Sequence, residues 1–361
     1  MKFRIHRYYN FFRSYFHAQA SYLIFFVTSK CNARCKMCFY WQEIEQAKAK
    51  NTLALGEIER IAKGFKRLAY LTLTGGEPVL REDLDKIAYQ FYKHSGTRFI
   101  AFSTNGLLPE RAEAVVESIL EKCPGVILKA NLSIDHIGDR HDQIRGVSGS
   151  FDKALETYSR LKQLKRKHPN FSIVVATVLS SFNKAEIFQI IDYVQERIAP
   201  DTHSIDLARG NTKEQAAREV SLEEYKEVID YVKNKSRGKT GLFQTLLELM
   251  MEVIFQTLKK DRMVLPCVAG RRMLTLTDDG LIVPCEMLNQ ISPERDSIMG
   301  DLRKNNYDIK AILNTQKSKS VVNWIKRSNC YCTFECATSW NIVFNPKMYP
   351  KICKRLLTNG K

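Results

Sequence analysis

The cysteines of this chain have the residue type and spacing that bind metal. Three of them, Cys31, Cys35 and Cys38, form a C-x-x-x-C-x-x-C run directly after an apolar segment. Three thiolates on one short loop can hold a 4Fe–4S cluster and leave one iron open to a further ligand. A zinc site is the structural alternative, but zinc needs a fourth ligand nearby, and the next cysteine is Cys123. The spacing therefore favours an open cluster.

A second group of cysteines lies towards the end of the chain. Its members are Cys267, Cys285, Cys330, Cys332, Cys336 and Cys353. A hairpin predicted over 272–283, with Gly280 in its turn, brings Cys267 and Cys285 together at its open end. The thiols at 330, 332 and 336 follow in a C-x-C-x-x-x-C run. This group predicts a second metal site, and its spacing alone also permits structural zinc.

Short apolar segments alternate with helical patterns over the first 210 residues. Strands are predicted at 22–28, 70–74, 98–103, 126–134, 172–179 and 204–207, and helices at 55–66, 81–94, 110–121, 150–167 and 184–197. Strands that alternate with helices form a parallel α/β sheet with right-handed crossovers. Six such units predict an α/β fold, a partial (β/α)6 TIM-like barrel or an open sheet, with its site at the carboxyl ends of the strands.

The cysteine run and the motifs after it resemble the radical S-adenosylmethionine (radical SAM) superfamily. Gly75, Gly76 and Glu77, at the end of the second predicted strand, resemble the GGE motif that meets the amino group of SAM. The residue types agree, since glycines let backbone approach closely and a carboxylate can pair with an ammonium. Ser103 and Asn105, after the third strand, resemble the segment that contacts the ribose.

Two more segments that resemble the family lie in and after the fourth predicted strand. Ser133 and Arg145 lie in segments that resemble the corresponding region of family members with extra clusters, where they could meet the carboxylate of SAM. The resemblance covers about residues 22–208. One position departs from the family pattern, because the residue before the third cysteine is commonly aromatic and is Met37 here. That difference affects only the expected contact with adenine.

The resemblance implies a radical mechanism. SAM would bind the open iron through its amino and carboxylate groups, and one electron from the cluster would cleave a sulfur–carbon bond. The resulting 5′-deoxyadenosyl radical would abstract hydrogen from an unactivated carbon of the substrate. The protein would position the cofactor against the substrate and exclude water.

The later cysteines resemble the auxiliary-cluster domains called twitch and SPASM. The unit Cys267…Gly280…Cys285 fits both patterns, whereas the tail has six cysteines and SPASM domains typically have seven. The resemblance implies at least one auxiliary 4Fe–4S cluster, held by Cys267, Cys285 and two of the three thiols Cys330, Cys332 and Cys336. Cys353 could complete a partial second cluster or be buried.

The chain divides into four predicted parts. These are a basic aromatic segment at 1–20, a radical SAM core at 21–210, a helical linker at 211–262 and a cysteine-rich auxiliary domain at 263–361. The linker contains helical patterns at 222–235 and 241–260, the second apolar on most sides. We expect that helix to be buried rather than to face a membrane.

The chain is strongly basic, with a formal net charge of +17. Such a balance attracts anions in general, and under the family resemblance it suits an acidic electron donor of the flavodoxin or ferredoxin type. Residues 1–30 carry ten aromatic residues, five Lys or Arg and no acid. This segment could contact the inner membrane face peripherally or cover the edge of its own domain. With no signal peptide or membrane-spanning stretch visible, we expect a cytoplasmic protein.

Three functions remain open at this point. The first is oxidation or related tailoring of a small-molecule or lipid-linked substrate. The second is maturation of a ribosomal peptide by crosslinking or epimerisation, although thirty residues before Cys31 are too few for a fused recognition domain. The third, of another class, is a non-catalytic metal-binding protein associated with nucleic acid. The short segment before Cys31 favours the first over the second, which stays open because a separate chain can recognise the peptide. A nucleic-acid partner is disfavoured.

Overall fold

The computed structural model describes residues 20–47, 51–236, 241–294, 296–328 and 330–358. Of the predicted N-terminal segment 1–20, only Ala20 is among the described residues. The membrane contact predicted for that segment therefore lies outside the described part. The strands of the described part are β1 Tyr22–Thr28, β2 Tyr70–Gly75, β3 Phe99–Thr104, β4 Ile127–Ser133, β5 Phe171–Leu179, β6 Thr202–Leu207, β7 Met273–Leu276, β8 Leu281–Val283 and β9 Gly300–Asp301.

Helices cover the sheet and form most of the second half. They are α1 Trp41–Glu45, α2 Leu55–Gly64, α3 Leu84–His94, α4 Pro109–Lys122, α5 Asp139–Arg145, α6 Ser150–Lys167, α7 Ile187–Tyr193, α8 Leu222–Lys235, α9 Leu242–Lys260, α10 Leu288–Ile291, α11 Ile309–Asn314, α12 Gln316–Arg327, α13 Glu335–Val343 and α14 Tyr349–Thr358. A π-helical turn, Val194–Ile198, continues α7.

The strands form one open sheet in the order β6-β5-β4-β3-β2-β1-β7-β8-β9. The first six strands are parallel and follow chain order, each joined to the next through at least one helix. All seven residues of β1 are buried because strands and side chains cover both of its faces. The α/β class and the partial (β/α)6 barrel predicted from the sequence are confirmed.

The predicted elements differ from the observed ones at their ends. The helix predicted over 81–94 begins at Leu84, because a 3₁₀ turn over Pro78–Leu80 precedes it and Arg81 N–H bonds to the Pro78 carbonyl. The helix predicted over 184–197 is broken into a 3₁₀ turn, α7 and the π-helical turn. The strand ends agree with the predictions within two residues.

The hairpin that contains the second cysteine group extends the barrel sheet. β7 pairs in parallel with β1, with Leu23 opposite Leu274, and β8 runs antiparallel to β7. Leu23 and Leu274 are both fully buried. The barrel and the later segments therefore share one hydrophobic core, which fixes the second cysteine group against the first strand.

The apolar helix α9 packs among other helices. Its contacts are with α8, α13 and α14, and Leu249 and Met251 are almost fully buried. The expectation of a buried helix holds for most of its length, while Leu242 and Phe243 at its start are exposed. Among the described helices, none has both the length and the apolar character needed to span a bilayer.

Candidate active site

The first three cysteines lie on the loop that follows β1, at the carboxyl end of the barrel strands. Burial raises the pKa of Cys31 to about 11 and that of Cys38 to about 12, and the neighbouring Cys35 thiol contributes to both. Negative charge on one thiol therefore acts on the other two. In a protein without metal the thiols of Cys31 and Cys38 stay protonated, and a metal centre would bind the cysteines of the loop as thiolates.

Backbone hydrogen bonds fix the cysteine loop from two sides. The Arg34 N–H donates to the Arg145 carbonyl at 3.0 Å, and the Lys36 N–H donates to the Ile144 carbonyl at the same distance. Both carbonyls lie at the end of α5. On the other side, Lys213 N–H donates to the Cys38 carbonyl at 3.0 Å. The loop is thus held between the fourth and sixth strand units, where three thiols can face a common centre.

Gly75 and Gly76 let the end of β2 lie directly against this loop. A Cβ at Gly75 would lie 2.1 Å from the Thr28 carbonyl oxygen, and one at Gly76 would lie 2.2 Å from that of Lys30. The sequence predicted that these glycines let backbone approach a ligand. In the structure the group that they approach is the backbone of the cysteine loop.

Glu77 is buried, and its carboxylate binds the backbone of neighbouring loops. Oε1 accepts the Val79 N–H at 3.1 Å, and Oε2 accepts the Asn105 N–H at 2.7 Å. Burial raises the pKa of Glu77 to about 7 in spite of these bonds. This carboxylate therefore joins the GGE segment to the segment after β3.

Asn105 ties that segment to the cysteine loop, because its Nδ2 donates to Asn32 Oδ1 at 2.8 Å. Ser103 and Ser133 lie on β3 and β4 and are half-buried. Since Ser103 pairs in register with Asn131, two residues before Ser133, both serines share the face that carries the polar side chains of β4. Of these three residues, Asn105 contacts the cysteine loop directly, and the two serines lie near the carboxyl ends of their strands.

Arg145 reaches from the end of α5 to the cysteine loop. Its Nη2 pairs with Asp135 Oδ2 at 2.6 Å, and its Nη1 donates to Cys35 Sγ at 3.6 Å. Asp135 is fully buried. The guanidinium therefore places positive charge directly beside a thiol that a cluster would bind as thiolate, and Arg145 Nε has no partner among the described residues.

Four of the later cysteines influence one another. Burial raises the pKa of Cys285 far above its usual range, and the thiols of Cys332, Cys267 and Cys330 raise it further. The pKa of Cys332 is raised to about 12 by burial, with contributions from Cys267 and Cys330. These four thiols come from the hairpin and from the loop before α13, and they form one group.

Cys336 faces a different set of side chains. Its charged neighbours are Glu335, Glu286 and Arg209, and its thiol hydrogen-bonds with the Tyr22 hydroxyl. Cys353 is exposed on α14. The sequence left open which two of the thiols at 330, 332 and 336 join Cys267 and Cys285, and the structure groups 330 and 332 with them.

The number of thiols in each group matches the ligands that a 4Fe–4S cluster takes. In the described part of the chain, no three His, Cys, Asp or Glu side chains are arranged to hold one metal ion. A zinc site needs its thiolates within about 2.3 Å of one atom, whereas a cubane spreads its ligands over several irons. A loop with three thiols fits a 4Fe–4S cluster with one open iron, and the group of four fits a closed one.

A largely buried charged cluster around Arg209 was missed by the sequence analysis. Arg209 Nη2 pairs with Glu286 Oε1 at 2.9 Å, and Nη1 pairs with Glu335 Oε2 at 2.6 Å. Its guanidinium lies over the rings of Phe39 and Phe334, 5.2 and 4.9 Å from their centroids. One feature of the sequence could have indicated these glutamates, because each is adjacent to a cysteine of the second group.

Asp206, near the end of β6, belongs to the same cluster. Its Oδ2 accepts the Ser204 hydroxyl at 3.0 Å. Burial and then the charge of Glu335 raise its pKa to about 7, although Arg209 lowers it. The cluster therefore lies at the carboxyl end of the barrel, where the sequence predicted the site but did not name Asp206.

Comparison with known families agrees with this geometry. A family model described as the radical SAM superfamily matches residues 25–194. The match begins in β1, runs through the cysteine loop and ends after α7. Over these residues the chain is similar to the radical SAM superfamily. The family implies a 4Fe–4S cluster and SAM as cofactors, which the three-cysteine loop fits.

Curated relatives of this region have names that denote several different reactions. GTP 3′,8-cyclase of Aquifex aeolicus is 30% identical over 169 residues, which cover 45% of this chain and 49% of that protein. Fe-coproporphyrin III synthase of Methanosarcina barkeri is 25% identical over 217 residues, covering 58% and 50%. The chain spans about half the length of these two relatives.

Solved structures share the fold over a longer part of the chain. Streptococcus suis SuiB bound to its precursor peptide SuiA superposes with a TM-score of 0.61 at 14% identity, covering 89% of this chain and 70% of SuiB. The structure of anSMEcpe with bound AdoMet gives 0.59 at 15% identity, covering 95% and 98%. At these identities the similarity shows the fold alone, and it extends beyond the residues that the family model matches.

Proposed function

We propose that this chain is a radical SAM enzyme that cleaves SAM reductively and abstracts hydrogen from a substrate. The observation that carries the proposal is the position of Cys31, Cys35 and Cys38. They share one loop at the carboxyl end of the barrel, held against the GGE segment and the segment that contains Asn105. When bound, the cluster and SAM supply an electron and a 5′-deoxyadenosyl radical.

The residues of the chain would position SAM and keep water out. Gly75 and Gly76 let the end of β2 lie against the segment that leads into the cysteine loop. Arg145, with Nε unpartnered, could donate to the carboxylate of SAM. Ser103 and Ser133 offer hydroxyls on the same barrel face, and a hydroxyl can donate to a ribose or carboxylate oxygen.

We propose further that Cys267, Cys285, Cys330 and Cys332 hold an auxiliary 4Fe–4S cluster. Their mutual influence on pKa supports this assignment, as does the burial of Cys285. The later segments that carry these thiols share a core with β1, so the second centre would be fixed relative to the first. An auxiliary cluster could accept the electron that a substrate radical loses on oxidation.

The proposed substrate is a small molecule or a lipid-linked molecule. The names of the curated relatives support a small molecule, since GTP 3′,8-cyclase and Fe-coproporphyrin III synthase are named for small-molecule products or substrates. A ribosomal peptide is the second candidate. It is supported by the fold shared with SuiB, bound to the precursor peptide SuiA, and with anSMEcpe, bound to the Kp18Cys peptide.

Anaerobic SAM cleavage tests the proposal. The reconstituted protein is incubated with SAM and dithionite, and 5′-deoxyadenosine is measured for the wild type, for Cys31→Ala and for Cys353→Ala. Cys353 is exposed and lies outside both thiol groups, so its variant is the matched control. We expect release by the wild type and by Cys353→Ala, and none by Cys31→Ala. Equal release by all three proteins, or by none of them, contradicts the proposal.

A further inference from the structure

Two cysteines of the first loop accept hydrogen bonds of different kinds. Cys31 Sγ accepts the backbone N–H of Ala33 at 3.4 Å. Cys35 Sγ accepts Nη1 of Arg145 at 3.6 Å, and a guanidinium in a protein always carries a positive charge. The donor at Cys35 therefore acts on its sulfur both as a hydrogen bond and as a charge.

The backbone on both sides of Cys35 holds this cysteine next to Arg145. The preceding residue, Arg34, donates its N–H to the Arg145 carbonyl at 3.0 Å. The following residue, Lys36, donates its N–H to the Ile144 carbonyl at the same distance. The contact between the thiol and the guanidinium is therefore fixed by the main chains of the loop and of α5, and does not depend on two freely moving side chains.

The guanidinium is held from its other side by Asp135, which is fully buried. Asp135 Oδ2 lies 2.6 Å from Arg145 Nη2, and Oδ1 accepts the Val178 N–H at 2.9 Å. The main chain of Asp135 is held as well. Its N–H donates to His141 Nδ1 at 3.1 Å, and its carbonyl accepts Asn183 Nδ2 at 2.9 Å. This network keeps the guanidinium in one orientation.

The basic side chains of the loop itself bind elsewhere. Arg34 Nη1 donates to the Cys31 carbonyl at 2.9 Å, so its charge is directed at the main chain. Lys36 Nζ lies 5.0 Å from the centroid of the Phe182 ring. Of these three cations in the described part of the chain, Arg145 is the one that contacts a cysteine sulfur.

A charged donor at a ligand changes the reduction potential of an iron–sulfur cluster. Hydrogen bonds to the sulfurs and net charge are among the features that set this potential. Reduction by one electron makes a cluster more negative by one charge, so a fixed cation beside it stabilises the reduced form more than the oxidised form. Because Cys35 is one of the three thiols assigned to the first cluster, the Arg145 guanidinium raises the potential of that cluster.

We propose that Arg145 sets the reduction potential of the first cluster through its hydrogen bond to Cys35. This inference rests on the proposed function, since it takes Cys35 as a ligand of that cluster. The role is separate from a contact of Arg145 Nε with SAM, because it exists before SAM binds. Arg145 acts here as a positioning residue, and a higher potential makes it easier for the electron donor to reduce the cluster.

An anaerobic redox titration followed by electron paramagnetic resonance tests the proposal. The reconstituted proteins are reduced stepwise with a titanium(III) reductant in the absence of SAM, and a parallel sample with SAM identifies the first cluster by the change in its signal. The proteins are the wild type, Arg145→Met, the double variant Arg145→Met/Asp135→Asn and Arg140→Met. The double variant leaves neither charge of the buried pair without its partner. Arg140 is an exposed arginine on the same helix, paired with Glu186, so its variant makes the same chemical change away from the cysteine loop.

We expect the first cluster of both Arg145 variants to have a midpoint potential about 59 mV more negative than that of the wild type. This shift is a tenfold change in the equilibrium of a one-electron couple, the size expected for the loss of one charge-assisted hydrogen bond. The second cluster, and both clusters of Arg140→Met, should keep their wild-type potentials. The proposal is overturned if the Arg145 variants keep the wild-type potential or if both clusters shift equally. It is also overturned if the double variant binds no iron at the first loop, because Arg145 would then hold the loop together without setting its potential.

The wild type distinguishes failure of this inference from failure of the proposed function. If the wild type has no cluster whose signal changes with SAM, the proposed function fails and the role of Arg145 fails with it. If the wild type has such a cluster and its potential does not differ from that of the Arg145 variants, the role of Arg145 alone is overturned and the proposed function stands.

Discussion

The conformation of the cysteine loop depends on two glycines that lie directly against its backbone. Gly75 and Gly76 lie against the carbonyls of Thr28 and Lys30, and these atoms belong to the segment that leads into Cys31. A flexible side chain could move aside for an added methyl group, but a carbonyl can move only with its loop. The geometry of the three thiols is therefore sensitive to substitution at these glycines.

We predict that Gly76→Ala disturbs the first cluster. Its Cβ would lie 2.2 Å from the Lys30 carbonyl oxygen, and forced overpacking of this kind costs about 1–3 kcal/mol. The variant should have a lower urea midpoint and lose iron. Gly56→Ala is the control, because Gly56 is exposed on α2 with nothing within 4 Å. There the change should stabilise the helix by up to about 1 kcal/mol. Unchanged iron content in Gly76→Ala would argue against the tight approach.

His141 gives the fold a dependence on pH. Its ring is fully buried, Nδ1 accepts the Asp135 N–H at 3.1 Å, and burial lowers its pKa to about 3. Below about pH 6.5 the unfolded chain binds a proton that the folded chain does not, so the free energy of unfolding falls as the pH drops. This loss is about 2 kcal/mol between pH 6.5 and pH 5.

We therefore expect the variant His141→Gln to lose stability less steeply than the wild type over that pH range. Urea unfolding at pH 6.5 and pH 5 under anaerobic conditions measures the difference. His203, whose pKa burial also lowers to about 3, contributes equally to both proteins. Identical pH dependence in the two proteins would show that His141 takes up its proton without unfolding.

Among the elements, β7 has the largest effect on how the two thiol groups are related. It pairs with the first strand of the barrel, and Leu274 at its centre is fully buried opposite Leu23. An uncovered β1 would be an exposed apolar edge, which favours aggregation. The hairpin thus closes one edge of the barrel sheet while it positions Cys267 and Cys285.

We predict that Leu274→Ala destabilises the protein by about 2–5 kcal/mol, the usual cost of removing a buried leucine side chain. Leu357→Ala, on α14, removes the same atoms from a side chain that is 75% exposed. It should change the free energy of unfolding by less than about 0.5 kcal/mol. Similar urea midpoints for the two variants would contradict the pairing of β7 with β1.

Local patterns were sufficient to predict the six barrel strands, because apolar runs bounded by turns recur along the first 210 residues. They were not sufficient to predict that β7 joins β1, since that pairing links residues about 250 positions apart. The grouping of Cys330 and Cys332, with Cys336 turned towards Tyr22, also depends on how α13 packs. The Arg209 cluster was missed for the same reason, because its members are separated in the sequence and meet only in the fold.

At the scale of the whole molecule, the charge of +17 bears on electron supply. We expect an acidic donor of the flavodoxin or ferredoxin type to associate faster at low salt, because complementary charges steer the encounter. The rate of cluster reduction by such a donor should fall as ionic strength rises from about 0.01 M to 0.15 M, where screening shortens from about 30 Å to 8 Å. If the rate of cluster reduction does not change with salt, the basic surface does not serve to attract an acidic electron donor.

The central claim is that one chain holds two iron–sulfur centres, of which the first is open. The most direct test is iron, sulfide and zinc per chain after anaerobic reconstitution. It compares the wild type with the triple variant Cys31/Cys35/Cys38→Ala, the quadruple variant Cys267/Cys285/Cys330/Cys332→Ala, and Cys336→Ala. We predict about eight irons in the wild type and in Cys336→Ala, and about four in each multiple variant. Stoichiometric zinc without iron, or about four irons in the wild type that the quadruple variant keeps, would contradict the account.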